Sequence, residues 1–285
     1  MGRAVSIEKG VLYVVATPIG NLGDLSYRAR SVLDGVDLIA AEDTRHTRPL
    51  LQHYSIQTPL IAVHEHNEHR VLDGLVERLS GGASFAMVSD AGTPLISDPG
   101  FPLVRRCREV GIPVSPIPGP CAAIAALSAA GLPTDRFSFE GFPARSTDGR
   151  RIQFEGLCSE RRTLVFYESS HRIESSLRDM KAVFGGGRRA VIARELTKMH
   201  ETLLSDTLAG LTAVVADDPN QRRGEFVIIV AGNAPDPQQV APEVEKVLRL
   251  LVEELPLKQA AALTARITGE KKNALYRLAL SWQDQ

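Results

Sequence analysis

Three polar loops in the first hundred residues directly follow short apolar runs. They are residues 17–24 (TPIGNLGD), residues 42–45 (EDTR) and residues 89–100 (SDAGTPLISDPG). In an open α/β sheet, ligands bind beyond the carboxyl ends of the strands. These loops are therefore the first candidates for a binding site.

The loop of residues 89–100 is the most informative of the three. It combines turn-forming residues with hydroxyl side chains and with the carboxylates of Asp90 and Asp98. Long irregular loops in compact domains are usually functional. Carboxylates and exposed main chain suit a ligand with hydroxyl and ammonium groups, whereas a loop without Lys or Arg is a poor fit for phosphate.

The other two loops leave alternatives open. Residues 17–24 match neither GxGxxG nor a Walker loop, so a structural turn is at least as good an interpretation. Residues 42–45 have two interpretations. Either Glu42 and Arg45 face a cleft at a strand end, or Asp43 or Thr44 caps a helix and Arg45 lies in its first turn. Dense charge also follows apolar runs at residues 167–172 and 194–201, as on a catalytic or RNA-facing rim or at a solvated helix start.

Several classes of function are disfavoured. The histidine-rich run of residues 64–69 lacks HExxH spacing and a nearby Cys, so a solvated loop is favoured and no metal is predicted. No GxSxG motif follows a strand. The 33 basic and 34 acidic residues give no overall field toward nucleic acid, so any RNA contact must come from local patches such as the recurring arginine pairs.

Composition also predicts the compartment. Three widely spaced cysteines are typical of reduced thiols. The chain starts with no signal-peptide pattern, and its longest apolar run, residues 121–132, is shorter than the roughly 20 residues of a membrane span. We therefore expect a cytoplasmic protein without a membrane partner.

The elements that must position these loops follow from the hydrophobic pattern. Short β-branched runs alternate with amphipathic segments such as residues 71–79, which predicts an α/β fold whose first sheet is mostly parallel, with helices on both faces. We expect a first domain over 1–118, a second over 119–234 and a helix-turn-helix-like tail over 240–285, with a linker at 233–242. The predicted strands are residues 11–15, 38–40, 60–63, 85–88, 112–114, 137–139, 163–167, 190–193 and 226–230; the two helical patterns of the tail are residues 257–264 and 271–280.

Taken together, five motifs resemble the RNA-modifying branch of the tetrapyrrole methylase family over about residues 10–232. They are residues 17–24, 41–45, 89–94, 118–120 and 193–198. The resemblance implies two α/β domains with S-adenosylmethionine in the cleft between them, and a homodimer. It also implies 2′-O-methylation of a cytidine in 16S rRNA near the decoding site, with the rRNA or the small ribosomal subunit as the partner.

The resemblance implies the cofactor-binding residues, and chemical reasoning adds candidates for the other roles. The expected cofactor neighbours are Pro18, Asp90, Ala91, Gly92, Ile96, Cys121, Ala122, Glu168 and Leu196. Since a ribose hydroxyl is a poor nucleophile, a group should accept its proton; the candidates are Glu42, Glu195, Lys198 and His200. The residues expected to contact RNA are Arg45, Arg172, Arg194, Lys271 and Lys272.

Two other functions remain open at this point. One is a nucleic-acid-binding regulator built around the helical tail, whose α/β part senses a small ligand. The other is a methylase of a small tetrapyrrole-like molecule. Residues 89–92 (SDAG) and 18–21 (PIGN) depart from the Gly-Asp-Pro and Gly-Pro-Gly-Asp sequences of the porphyrin-modifying branch, which argues against the second.

Overall fold

The computed structural model describes residues 6–64, 67–233 and 242–282. The chain separates into two compact units, Met1–Gly232 and Asn233–Gln285. The described part of the larger unit contains two five-stranded sheets. The smaller unit is helical.

The first sheet is parallel throughout and has the order β3-β2-β4-β1-β5. Its central strands are apolar on both faces because helices cover both. Helices α1 and α2 cover one face, and α3 and α4 cover the other. The elements are β1 (Leu12–Val15), α1 (Tyr27–Gly35), β2 (Leu38–Ala41), α2 (Thr44–His53), β3 (Leu60–Ala62), α3 (Glu68–Ser80), β4 (Phe85–Val88), α4 (Phe101–Glu109) and β5 (Val114–Ile117).

The second sheet has the order β6-β7-β10-β8-β9, and its only parallel pair within the described residues is β6 with β7. Helix α5 packs on one face, while α6, α7 and α8 pack on the other. The elements are α5 (Ala122–Ala129), β6 (Phe137–Gly141), α6 (Thr147–Gly156), β7 (Thr163–Ser169), α7 (Ile173–Phe184), β8 (Arg189–Arg194), β9 (Thr202–Thr207), α8 (Leu208–Asp217) and β10 (Glu225–Val230).

The smaller unit consists, in its described part, of α9 (Pro242–Glu254), α10 (Leu257–Thr268) and α11 (Lys272–Ser281). These helices enclose a small core that includes Leu248 and Leu275. Gly269 ends α10 with a φ of 79°, a left-handed conformation that suits glycine. Residues 234–241 of the predicted linker lie outside the described residues.

The predicted α/β fold class with a helical tail is confirmed. One strand prediction was wrong, since β5 spans Val114–Ile117 rather than residues 112–114, and β9 was not predicted. The domain bounds remain predictions, although the chain passes from the first sheet to the second after Ile117. Over the described residues, no helix has both the length and the apolar character that a membrane span requires.

Candidate functional site

The loops after β1 and β4 are joined at the carboxyl end of the first sheet. The Thr17 N–H donates to the Gly92 carbonyl at 2.9 Å, and the Gly92 N–H donates to the Thr17 carbonyl at 3.0 Å. Gly92 has a φ of 81°, and a Cβ there would lie 3.2 Å from Cγ2 of Ile19. Glycine is therefore needed at residue 92 for its conformation and for the close approach of the two loops.

The loop after β4 is held in a strained form and tied to the second half of the larger unit. Leu95 and Ser97 have φ values of 74° and 71°, which non-glycine residues rarely adopt. The Thr93 hydroxyl donates to the Pro120 carbonyl at 2.9 Å, just before α5. Strain of this kind persists only where the surroundings hold it, and it is common at ligand sites.

Between this loop and the second sheet lies a cavity of about 350 Å³, which we call the first cavity. Its size falls within the range of small-molecule sites, roughly 300–1,000 Å³. The first half of the unit contributes Ile19, Asp90, Ala91, Gly92, Thr93, Ile96, Ser97 and Asp98. The second half contributes Ala122, Phe142, Tyr167, Glu168, Ser169, Ala193, Leu196, Glu225, Phe226 and Val227.

The first cavity combines apolar and aromatic walls with carboxylates. Phe142 packs edge-on against Tyr167 at 5.6 Å between ring centroids, and the Tyr167 hydroxyl accepts from the Ala123 N–H at 3.2 Å. Burial raises the pKa of Asp98 to about 6, and the negative charges of Glu42 and Asp90 add to the effect. Among the described residues that line this cavity there is no Lys, Arg or His, so its electrostatics suit a cationic ligand.

A buried ion pair supports the wall of the first cavity. The Glu168 side chain is fully buried and lies 2.8 Å from the guanidinium of Arg172, which is 23% exposed. Arg172 also donates to the Pro143 carbonyl at 3.0 Å, next to Phe142. The Ser176 hydroxyl donates to the other oxygen of Glu168. Arg172 thus connects β7 to the loop after β6, and its charge is balanced by Glu168.

A second cavity, of about 330 Å³, adjoins the first and shares Ile19, Asp90, Ala91 and Glu225 with it. The loop after β1 and helix α2 form most of its wall, and Lys198 closes it from the second half. The remaining lining residues are Thr17, Pro18, Gly20, Leu22, His46, Thr47, Pro49, Leu50 and Ser89.

Lys198 is held by two carboxylates at the edge of the second cavity. Its ammonium lies 2.9 Å from Glu195 and 2.8 Å from Glu225. Burial lowers the pKa of Lys198, but the hydrogen bonds to both carboxylates outweigh it, so the pKa is raised. Glu195 and Thr197 have φ values of 52° and 67°, which makes this a second strained loop.

Seven of the nine residues predicted to contact the cofactor line the first cavity. Pro18 lines the second cavity, and Cys121 lies at the N-cap of α5 beside the lining residue Ala122. The seven are Asp90, Ala91, Gly92, Ile96, Ala122, Glu168 and Leu196. Their contact with a cofactor stays a prediction.

The structure does not bring the four candidate proton acceptors together. Glu42 faces a polar recess that it shares with Asp90, and burial, followed by the charge of Asp90, raises its pKa. Glu195 and Lys198 form an ion pair. His200 is exposed outside both cavities, where its carbonyl accepts from Arg194.

The residues predicted to contact RNA lie in different surroundings, and their roles stay predictions. Arg45 is 86% exposed and paired with Asp43, whose side chain also caps α2. Arg194 is buried and donates to the Arg223 carbonyl at 2.7 Å. Lys271 and Lys272 are exposed at the start of α11.

Sequence reasoning missed the aromatic part of the site and one histidine. Phe142, Tyr167 and Phe226 lie in or beside strands, where aromatic residues are indistinguishable from core residues in a single sequence. His46 follows the motif of residues 42–45 directly, and a search of that helix for a partner to Asp90 could have found it. No group of metal-binding side chains is present in the described ranges; Glu65 and His66 lie outside them.

The family model for tetrapyrrole (corrin/porphyrin) methylases matches residues 11–212. The chain belongs to this family. A second model, for the RsmI C-terminal helix-turn-helix domain, matches residues 238–283.

Curated relatives match along almost the whole chain. A protein of Pseudomonas aeruginosa named ribosomal RNA small subunit methyltransferase I is 58% identical, and the match covers 97% of this chain and 99% of that protein. The protein of the same name from Escherichia coli O157:H7 is 54% identical, with 97% and 96% covered. The one from Neisseria meningitidis is 46% identical, with 98% and 96% covered.

Solved structures show the same fold at low identity. The methyltransferase CobJ has a TM-score of 0.59 at 17% identity, covering 82% of this chain and 98% of that one. Uroporphyrin-III-C-methyltransferase from Thermus thermophilus has a TM-score of 0.56 at 19% identity, covering 78% and 94%. At this identity the likeness concerns the fold alone.

Proposed function

We propose that this chain transfers a methyl group from S-adenosylmethionine to the 2′-oxygen of a cytidine ribose in 16S rRNA, near the decoding site. The observation that carries the proposal is the first cavity, with apolar walls, carboxylates and no cationic lining residue among those described. A relative that is 58% identical bears a name that specifies methylation of small-subunit ribosomal RNA, which supports the substrate class.

The first cavity fits S-adenosylmethionine in both shape and charge. Because Gly92 has no side chain, the space next to Ile19 that a Cβ would occupy stays free. Ala91, Ile96 and Leu196 offer apolar surface for an adenosine, while the carboxylate of Asp98 would attract a positively charged ligand. We propose that the nine predicted residues, from Pro18 to Leu196, hold the cofactor, seven of them by lining the first cavity.

S-adenosylmethionine would supply a methyl group already activated on a sulfonium. The protein must then align the acceptor oxygen, exclude water and accept a proton. Of the four candidates, Lys198 is suited to donating a hydrogen bond, because Glu195 and Glu225 keep it protonated. Among these four, Glu42, whose pKa is raised, has the surroundings that best favour proton uptake.

Contacts with RNA are proposed for exposed cations on both units. Arg45 lies at the edge of the polar recess in the larger unit, and Lys271 and Lys272 lie at the start of α11 in the smaller one. Neutralising phosphates with such side chains supplies most sequence-independent RNA affinity. The expected partner is 16S rRNA or the small ribosomal subunit, bound by a cytoplasmic homodimer.

The test is transfer of labelled methyl groups from S-adenosylmethionine to small ribosomal subunits from cells that lack the enzyme. Nuclease digestion and mass spectrometry would locate the label. We expect it on a single ribose 2′-oxygen of a cytidine. Label on a base, or on a tetrapyrrole without RNA, would contradict the proposal.

The same assay separates the enzyme from a nucleic-acid-binding regulator. A chain truncated after residue 235 retains the larger unit with both cavities. Residual transfer by the truncated chain supports the enzyme. Cofactor binding by the full-length chain without any transfer to subunits or to naked 16S rRNA would mean that the fold is right and the substrate wrong.

A further inference from the structure

A histidine and an aspartate are paired where the two cavities meet. Nδ1 of His46, in the first turn of α2, lies 2.8 Å from Oδ2 of Asp90. The other carboxylate oxygen of Asp90 accepts from the Asp43 N–H at 3.0 Å. The carboxylate of Asp90 is therefore fixed by two contacts, and Nδ1 of His46 faces it. A carboxylate at Nδ1 selects the tautomer in which Nε2 is free to accept a proton.

The position of this pair assigns different ligands to the two cavities. Asp90 lines both cavities, whereas His46 lines only the second. The second cavity also differs in chemistry, because it combines apolar surface from Pro18 and Leu50 with the cation Lys198. Apolar surface suits a base and ribose, and the ammonium of Lys198, held between Glu195 and Glu225, can still donate a hydrogen bond to a neutral oxygen of the nucleoside.

We propose, resting on the function proposed above, that the second cavity binds the target nucleoside and that His46, oriented by Asp90, accepts the proton of its 2′-hydroxyl. In this step the ribose oxygen forms a bond to the methyl carbon while the carbon–sulfur bond breaks. The electron pair of that bond stays on sulfur, which becomes a neutral thioether. The hydroxyl proton passes to Nε2 of His46 and then to water, so no further reactant is required.

The charges around His46 suit this role. The hydrogen bond to Asp90 raises the pKa of His46, followed by the charge of Asp90, and Asp43 adds to the effect, while partial burial and Arg45 oppose it. Glu42 also acts on His46 electrostatically, and Lys198 and Glu225 face the same cavity. A general base works best with a pKa near the working pH, which an imidazole satisfies better than an ion-paired Lys198.

The test compares H46Q with the wild type on small ribosomal subunits. Glutamine retains a hydrogen-bonding group but cannot accept the proton. We expect kcat to fall about 100-fold or more, while the Kd of S-adenosylmethionine, measured by calorimetry, stays within about twofold because His46 does not line the first cavity. The side chain of His46 is 64% exposed, so H46Q should fold, and its Tm would verify this.

The pH profile distinguishes a base from a merely structural residue. In the wild type, kcat should rise with pH through the pKa of His46, above its ordinary value of 6.5, because only the neutral imidazole accepts a proton. H46Q should lack this rise. H53Q is the matched control, since His53 is an exposed histidine at the other end of α2, and it should behave as the wild type.

Two results would overturn the assignment alone: wild-type kcat in H46Q, or loss of the pH-dependent rise in E42Q but not in H46Q. Failure of the wild type to methylate subunits would overturn the proposed function and the assignment together. The two failures are therefore distinguishable in one set of assays.

Discussion

Replacing Arg172 with alanine would leave a buried carboxylate in the wall of the first cavity without its cation. The Glu168 side chain is 0% exposed, and Arg172 lies 2.8 Å from it. Breaking a buried pair costs roughly 3–5 kcal/mol. Because Arg172 keeps 23% of its side chain exposed, we expect the low end, about 3 kcal/mol. In a unit of this size, that corresponds to a fall in Tm of roughly 6–12 °C.

The assay is thermal unfolding of the full-length chain, with R178A as the matched control. Arg178 lies on the same helix and pairs with Glu174, but it is 64% exposed. An exposed pair of this spacing contributes about 0.3–0.5 kcal/mol, so its loss should lower the Tm by less than about 2 °C. R172A should also weaken binding of S-adenosylmethionine, because the Pro143 carbonyl beside Phe142 loses its donor.

The opposite result would identify Arg172 as an RNA contact. If R172A unfolds within about 2 °C of the wild type but binds RNA more weakly in a filter assay, the ion pair is not structural. The guanidinium of Arg172 would then bind an RNA phosphate, as the sequence predicts. A double variant with E168Q adds a further check, because the neutral glutamine should make the loss of Arg172 much less costly.

Three further predictions concern both units. G92A should raise the Kd of S-adenosylmethionine about tenfold or more in calorimetry, because the new Cβ meets Ile19. G111A is the control, because Gly111 has a similar φ of 78° and a Cβ there would have no atom within 4 Å; it should cost about 1 kcal/mol of stability and leave the Kd unchanged. Equal Kd values would contradict this. Affinity for the cofactor should rise with pH through about 6 as Asp98 ionises, and D98N should remove this dependence on pH. Because folding raises the pKa of Asp98 from 3.8 to about 6, the free energy of unfolding should fall as the pH rises through that interval. Replacing both Lys271 and Lys272 with alanine should reduce the slope of log affinity for RNA against log salt by about 1.4–1.8, and an unchanged slope would exclude both as phosphate contacts.

The fold was largely predictable because its strands are buried and short. The strand predicted at residues 85–88 coincides with β4, whose four residues are all buried. The β5 prediction shares only Val114 with the observed strand, because that strand continues through Pro116, which an edge strand tolerates. β9 was missed because it is an edge strand of the second sheet, and its sequence, TLLSDT, alternates in exposure and contains few apolar residues.

The site was predictable where loops carry polar residues and not where strands carry apolar ones. Asp90 and Gly92 belong to a recognisable loop. Val227, by contrast, looks like any core residue, and only the sheet order places it opposite that loop. The ion pair of Arg172 with Glu168 could not be predicted from the sequence either, since a charged residue after a strand is consistent with a binding rim and with a buried ion pair.

Four of the five non-glycine residues with positive φ in the described ranges lie in the two loops that border the cavities. They are Leu95, Ser97, Glu195 and Thr197. Each such conformation costs on the order of 1–3 kcal/mol. Anyone engineering a more heat-resistant variant would be drawn to replace them with glycine or asparagine. Those changes should relax the loops that shape the pocket, so a gain in melting temperature would come with slower turnover.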